Sequence, residues 1–137
     1  MDSDIVVDTN VIRLYGVAGD PVFKTFFAWL RSNGILACSQ KLLVEYHRSG
    51  SSLVAGLVAD LLIARRLRKY SPSEIESIRH GRYRFRSNRA DHHHVKLVMR
   101  SCRRLCLSLD EDLRYDVNNF PGYGGQAASR PDEIPYR

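Results

Sequence analysis

Three short apolar runs constrain this chain more than any other feature: Ile5-Val6-Val7, Ile35-Leu36-Ala37-Cys38 and Leu105-Cys106-Leu107-Ser108. None alternates apolar with polar residues, so each suits a strand covered on both faces rather than one with a wet side. Helical patterns stand between them. Strands alternating with helices through right-handed crossovers give a parallel sheet between two helix layers. The expected fold is a three-layer α/β/α sandwich with a central parallel sheet of roughly four to five strands.

The connecting segments carry their own start and stop signals. Val11 to Tyr15 fits a turn or short helix broken by Gly16 and Gly19. Asp20-Pro21 opens a helix with an N-cap and a first-position proline, and Phe23, Phe26, Phe27 and Leu30 give that helix one apolar face. Ser39 is placed to cap a helix from Gln40 to His47. A long helical pattern runs from Ser52 to Arg68, its basic end complementing the macrodipole. Ser71-Pro72-Ser73-Glu74 opens another short helix. From about residue 120 the chain is rich in Gly and Pro, and irregular structure is expected there, with room for one edge strand or a packed Tyr123.

At 137 residues the chain is expected to form a single domain over 1–137. No apolar run reaches the ~18 residues that a membrane span needs, and the acidic Met1-Asp2-Ser3-Asp4 start is unlike a secretory signal. Cys38, Cys102 and Cys106 imply no disulfide framework and no zinc pattern, so all three are expected to be reduced packing residues in a cytoplasmic protein.

The net charge is +6, and 13 of the 21 Lys and Arg residues fall between Arg65 and Arg104. A basic surface of that density suits a phosphate-backbone partner, although a solubilising face explains it as well. Within it, Arg82, Arg84, Arg86 and Arg89 interleave with Tyr83 and Phe85. That alternation fits an edge strand or a loop that grips single-stranded nucleic acid.

Acidic residues occupy the carboxyl ends of the strands, where open α/β sheets keep their ligand crevice. Asp8, followed by Thr9 and Asn10, stands at the end of the first strand as either a helix cap or a site residue. Glu45 lies in an otherwise apolar helical stretch and faces either the crevice or solvent. Asp91 falls in a first helical turn, where it also complements the helix end. Ser108 and Asp110 follow the third strand; Asp112 shares their surroundings, Glu111 points away, and Asp116 is expected at the surface. The run His92-His93-His94 fans around a helix at about 100° per residue, so at most one imidazole faces the crevice. Phosphate contact or exposure suits these histidines better than ligation.

Gathered at one sheet edge, Asp8, Glu45, Asp91 and Asp110 repel one another unless a hard divalent cation joins them. Oxygen donors select Mg2+ or Mn2+ over zinc. A metal held this way beside a basic surface is equipment for phosphodiester hydrolysis.

Asp8-Thr9-Asn10-Val11, Glu45, Asp91 ahead of an apolar helix, and Ser108-Leu109-Asp110-Glu111-Asp112 together resemble the acidic signature of the PIN-domain ribonucleases, over about residues 4–116. The resemblance implies an α/β/α fold and Mg2+- or Mn2+-dependent endonucleolytic cleavage of RNA. It implies Asp8, Glu45, Asp91 and Asp110 as metal ligands, Asp112 as an auxiliary carboxylate, and Asn10 and Ser108 as supports. A homodimer and an antitoxin protein partner are implied as well, as for the toxin of a toxin–antitoxin module. The Gly-rich ending departs from the fifth strand of many relatives. The rival from another class is a non-catalytic RNA-binding domain. Receiver domains and haloacid-dehalogenase-like phosphatases fit less well, lacking here an acidic pair before the acceptor strand and an Asp-x-Asp, respectively.

Overall fold

The computed structural model describes residues 2–16 and 19–137. Five parallel strands form one sheet: β1 (Asp4–Val7), β2 (Ile35–Ser39), β3 (Leu67–Tyr70), β4 (Leu105–Leu107) and β5 (Gln126–Ala128). Their spatial order is β3-β2-β1-β4-β5, all pairs parallel. Among the described residues seven α-helices flank the sheet: α1 (Thr9–Tyr15), α2 (Pro21–Ser32), α3 (Gln40–Arg48), α4 (Ser52–Ile63), α5 (Pro72–Glu76), α6 (Arg89–Arg100) and α7 (Glu111–Asn119). Helices α1 to α4 pack on one another, and α5 and α7 pack on α6, which gives the two outer layers of an α/β/α sandwich.

The three apolar runs become the central strands β2, β1 and β4, and Ile5, Val7, Leu36, Ala37, Cys38 and Leu107 are fully buried. Parallel strands put all carboxyl ends on one edge. The chain leaves β1 towards β2 and leaves β4 towards β5, so those two adjacent strands flank the switch point where a crevice opens.

Most helix starts follow the sequence. Asp20 accepts the Val22 N–H, Ser39 accepts the Leu42 N–H, and Ser71 forms a capping box with Glu74. The segment from Ser52 to Arg68 is different: the helix stops at Ile63 and the basic residues beyond it form an edge strand. Arg65 turns left-handed at φ 58°, with Arg65 N–H bonded to Leu62 O and Arg66 N–H to Leu61 O. This is the hydrogen-bond pattern of a Schellman ending, built without the glycine that would announce it.

The tail supplies the one edge strand the sequence left room for: β5 pairs with β4 from Leu105↔Gln126 to Leu107↔Ala128. Asn118 on α7 bonds both the N–H and the C=O of Ala127, and Gly122 and Gly124 adopt positive φ in the turn that leads there. Cys38 and Cys106 are buried as expected, whereas Cys102 is exposed. Among the described residues no helix is long and apolar enough to cross a membrane.

Candidate functional site

Two strand ends build the floor of the crevice. Asp8 follows β1 directly, its N–H bonded to Leu107 O of β4 at 2.9 Å. Its Oδ1 accepts the Thr9 N–H at 2.8 Å, which caps α1, and its Oδ2 accepts the Ser108 hydroxyl at 2.7 Å. The capping alternative from the sequence is realised, and the second carboxylate oxygen faces Ser108. Ser108 Oγ also accepts the Asp110 N–H at 3.0 Å, and Asn10 Oδ1 accepts the Leu109 N–H at 3.4 Å. Ser108 and Asn10 thus tie the ends of β1 and β4 together. The Tyr46 hydroxyl donates to Val7 O beneath them.

Asp110 caps α7 through Oδ1, which accepts the N–H groups of Asp112 and Leu113. Glu45 projects from α3 and accepts a hydrogen bond from His94 of α6, with Nε2 to Oε2 at 2.8 Å. Asp91 precedes His94 by three residues, on the same face of α6.

The protonation tendencies record how these groups crowd one another. Burial pushes the Asp8 carboxyl up, against the Ser108 hydrogen bond and His94, and Glu45 pushes it further. Burial also raises Asp91; His94 opposes this, while Asp110, Asp8 and Glu45 add to it. Burial alone would raise Glu45 too, but the hydrogen bond and charge of His94, with Lys41 and His93 nearby, leave it below the ordinary range. The four carboxylates foreseen from the sequence therefore share one electrostatic site, drawn from β1, α3, α6 and the start of α7.

They share a field, not a ready-made cage. Among the described residues no three acidic, histidine or cysteine side chains are grouped closely enough to hold a metal ion. Asp112 stands apart, exposed on the first turn of α7. The chemistry of the set nonetheless fits a hard cation: the donors are carboxylate oxygens, and two of them are hard to ionise where they stand. Glu45 already has a hydrogen-bond partner in His94.

His94 is the residue that sequence reasoning undervalued. It is only 3% exposed, and its Nδ1 is buried without a hydrogen-bond partner. Its spacing from Asp91 was the available signal, since residues three apart share a helix face. Two arginines were also missed. Arg13 and Arg48 line a cleft of about 340 Å³ together with Asp8, Asn10, Glu45 and Ser49, giving the acidic floor an exposed basic rim.

The Arg-aromatic segment is neither a strand nor a base-stacking loop with free rings. Tyr83 donates to Asp116 at 2.8 Å, and Tyr83 and Phe85 pack against Phe120. Arg82, Arg84, Arg86 and Arg89 are exposed, although Arg86 lies 3.6 Å from the centroid of the Tyr115 ring. The alternation separates a core side from a wet side. Asp116, expected at the surface, is fully buried and also accepts the Arg86 N–H, the Ser87 N–H and the Ser87 hydroxyl. Four donors from this loop converge on it, which is why a carboxylate is tolerated there.

Comparison of the chain with protein-family models, with curated proteins and with solved structures finds no match.

Proposed function

We propose that this protein is a metal-dependent endoribonuclease that hydrolyses RNA phosphodiester bonds, as its resemblance to PIN-domain ribonucleases implies. One observation carries the reading: Asp8, Glu45, Asp91 and Asp110, far apart in sequence, act on one another at the switch point of the sheet. Acids set together by burial and like charge mark functional sites more often than structural ones.

Asp8, Asp91, Asp110 and Glu45 would hold Mg2+ or Mn2+, which when bound lowers the pKa of water and neutralises charge building on the phosphate. The chain's own residues do the rest. Ser108 fixes one Asp8 oxygen and the Asp110 backbone. His94 holds Glu45 in place until a cation competes for it. Arg13 and Arg48, which line the same cleft, would take phosphate oxygens of the bound strand. Exposed Leu62 and Ile63, at the end of α4, offer the apolar surface for the homodimer that the same reading implies.

The test is incubation of the purified chain with end-labelled single-stranded RNA in Mn2+, in Mg2+ and in chelator. Cleavage is expected only with metal, falling by about 100-fold or more in Asp8→Asn and Asp110→Asn. Cleavage that survives the chelator, or is indifferent to both variants, removes the proposal. Binding without cleavage selects the non-catalytic RNA-binding domain.

A further inference from the structure

Beside the acidic cleft lies a larger one of about 680 Å³, walled by α3, the loop after α5, and α6. Its volume lies inside the roughly 300–1,000 Å³ range of ligand sites. Three cations face it, Lys41, Arg89 and Lys96, against one acid, Glu76. Glu76 is partly engaged already, 3.6 Å from Lys96 and 3.8 Å from His93. The same walls carry an aromatic stack: His80 meets Phe85 edge-on at 5.3 Å, and Phe85 lies face to face with His92 at 3.9 Å. A second hollow of about 410 Å³ shares Glu76, His80 and Lys96 and adds Arg79, which extends the basic surface.

Position gives this cleft its meaning. Lys41 Nζ donates to Ala90 O at 2.7 Å, one residue before Asp91, and Lys41 and His93 both act on the charge of Glu45. The cleft and the acidic group are therefore adjacent, separated only by the amino ends of α3 and α6. A groove that pairs cations with an exposed aromatic ring suits a single nucleic-acid strand, which offers both phosphates and bases. An acidic peptide would use the cations and leave the aromatic wall idle.

We infer that this cleft is a nucleotide-binding subsite for single-stranded RNA, seating a base against the exposed His80 ring, which Phe85 backs edge-on, and phosphates on Arg89 and Lys96. It rests on the ribonuclease reading, which it deepens by giving the strand a direction away from the acidic group, towards α5. Arg89 keeps the RNA-contacting role expected from the sequence, and His80 and Lys96 acquire one.

The experiment measures binding of a fluorescein-labelled RNA of roughly ten nucleotides to the full chain carrying Asp110→Asn, in chelator, across a salt series. His80→Ala is expected to weaken binding about fivefold with an unchanged salt slope, because it removes stacking. The pair Arg89→Gln and Lys96→Gln is expected to weaken it at least tenfold and to reduce the slope by about 1.4, from two lost phosphate contacts. Lys24→Gln, on the exposed side of α2, should change neither, and circular dichroism checks that every variant folds. Affinities within twofold of the parent overturn the subsite, as does absence of any binding by the parent. The ribonuclease reading fails separately: RNA bound through this cleft but never cut by the unsubstituted chain refutes the enzyme and keeps the subsite, whereas cleavage with indifferent cleft variants does the reverse.

Discussion

Strand β1 carries an aspartate at each end, and the two are treated in opposite ways. Asp4, at the amino end, is fully buried and satisfied: its carboxylate accepts the N–H groups of Cys102 and Arg103, with Arg68 3.7 Å and Arg103 3.9 Å away. Asp8, at the carboxyl end, is partly exposed and pushed towards protonation by its surroundings. Helix α7 repeats the contrast, with Asp116 bonded by four donors and Asp110 opening onto the crevice. A carboxylate that the fold has fully paired is holding structure together. Asp8 and Asp91, by contrast, are half-buried and pushed up by burial, and they lie near Glu45 and Asp110 at the carboxyl edge of the sheet.

The largest expected effect breaks the paired side of this contrast. Asp116→Ala strands four donors beneath the Arg-aromatic loop, and urea denaturation should show a loss of about 3–4 kcal/mol. Asp110→Ala on the same helix should cost only about 1 kcal/mol, the usual price of a lost N-cap. Equal losses at the two positions would erase the distinction between structural and functional acids.

Next in size is the cation's own effect. Binding the folded chain alone, Mn2+ at about 100 times its dissociation constant stabilises by about 2.7 kcal/mol, read as a rise in melting temperature. Asp8→Asn and Asp91→Asn should abolish that rise, and Asp112→Asn should leave it standing, since Asp112 is exposed whereas the other four are half-buried. A rise that survives Asp8→Asn would place the cation elsewhere.

Metal-free stability sharpens the comparison with a smaller effect of opposite sign. Burial would raise Asp116, but its hydrogen bonds hold it below the ordinary range, so its contribution is intact above about pH 4 and fades as pH falls through the folded value. Asp8 and Asp91 are held above that range. Their ionisation opposes folding, so their penalty is absent below about pH 4 and grows as pH rises through the raised values. Asp8→Asn keeps an acceptor for the Thr9 N–H and turns the Ser108 contact round, its amide nitrogen donating to Ser108 Oγ, while removing the charge. At neutral pH it should stabilise the metal-free chain by about 1 kcal/mol, a gain that disappears near pH 3.

The same contrast explains what the sequence could disclose. Asp8 and Asp110 were visible because each follows an apolar run, and local order places a strand end reliably at the crevice. Glu45 and Asp91 needed the helix faces to be known, and only the tertiary packing fixes those. Asp4 and Asp116 stayed hidden because their donors lie far away in the chain; Cys102, for one, is 98 residues from Asp4. Strand β3 escaped for a local reason. Its Leu67-Arg68-Lys69-Tyr70 continues a helical pattern, and the turn that interrupts it places an arginine where glycine is the usual signal.

The smallest expected effects separate the arginines of the loop that Asp116 anchors. Arg86 stacks on Tyr115, so Arg86→Ala should lower stability by about 0.5–1 kcal/mol. Arg82 and Arg84 are exposed, and replacing both with Ala should move stability by less than about 0.5 kcal/mol. If they contact RNA phosphates, the same double change lowers the salt slope of binding by about 0.7 per contact. Because Tyr83 and Phe85 are held by Asp116 and Phe120, affinity lost at this loop should be almost wholly salt-dependent, whereas affinity lost with His80 should persist at high salt. A salt-independent loss from Arg82→Ala and Arg84→Ala would mean that the loop lets go of its aromatic rings to bind, and Asp116 could then no longer be counted among the acids that only hold structure.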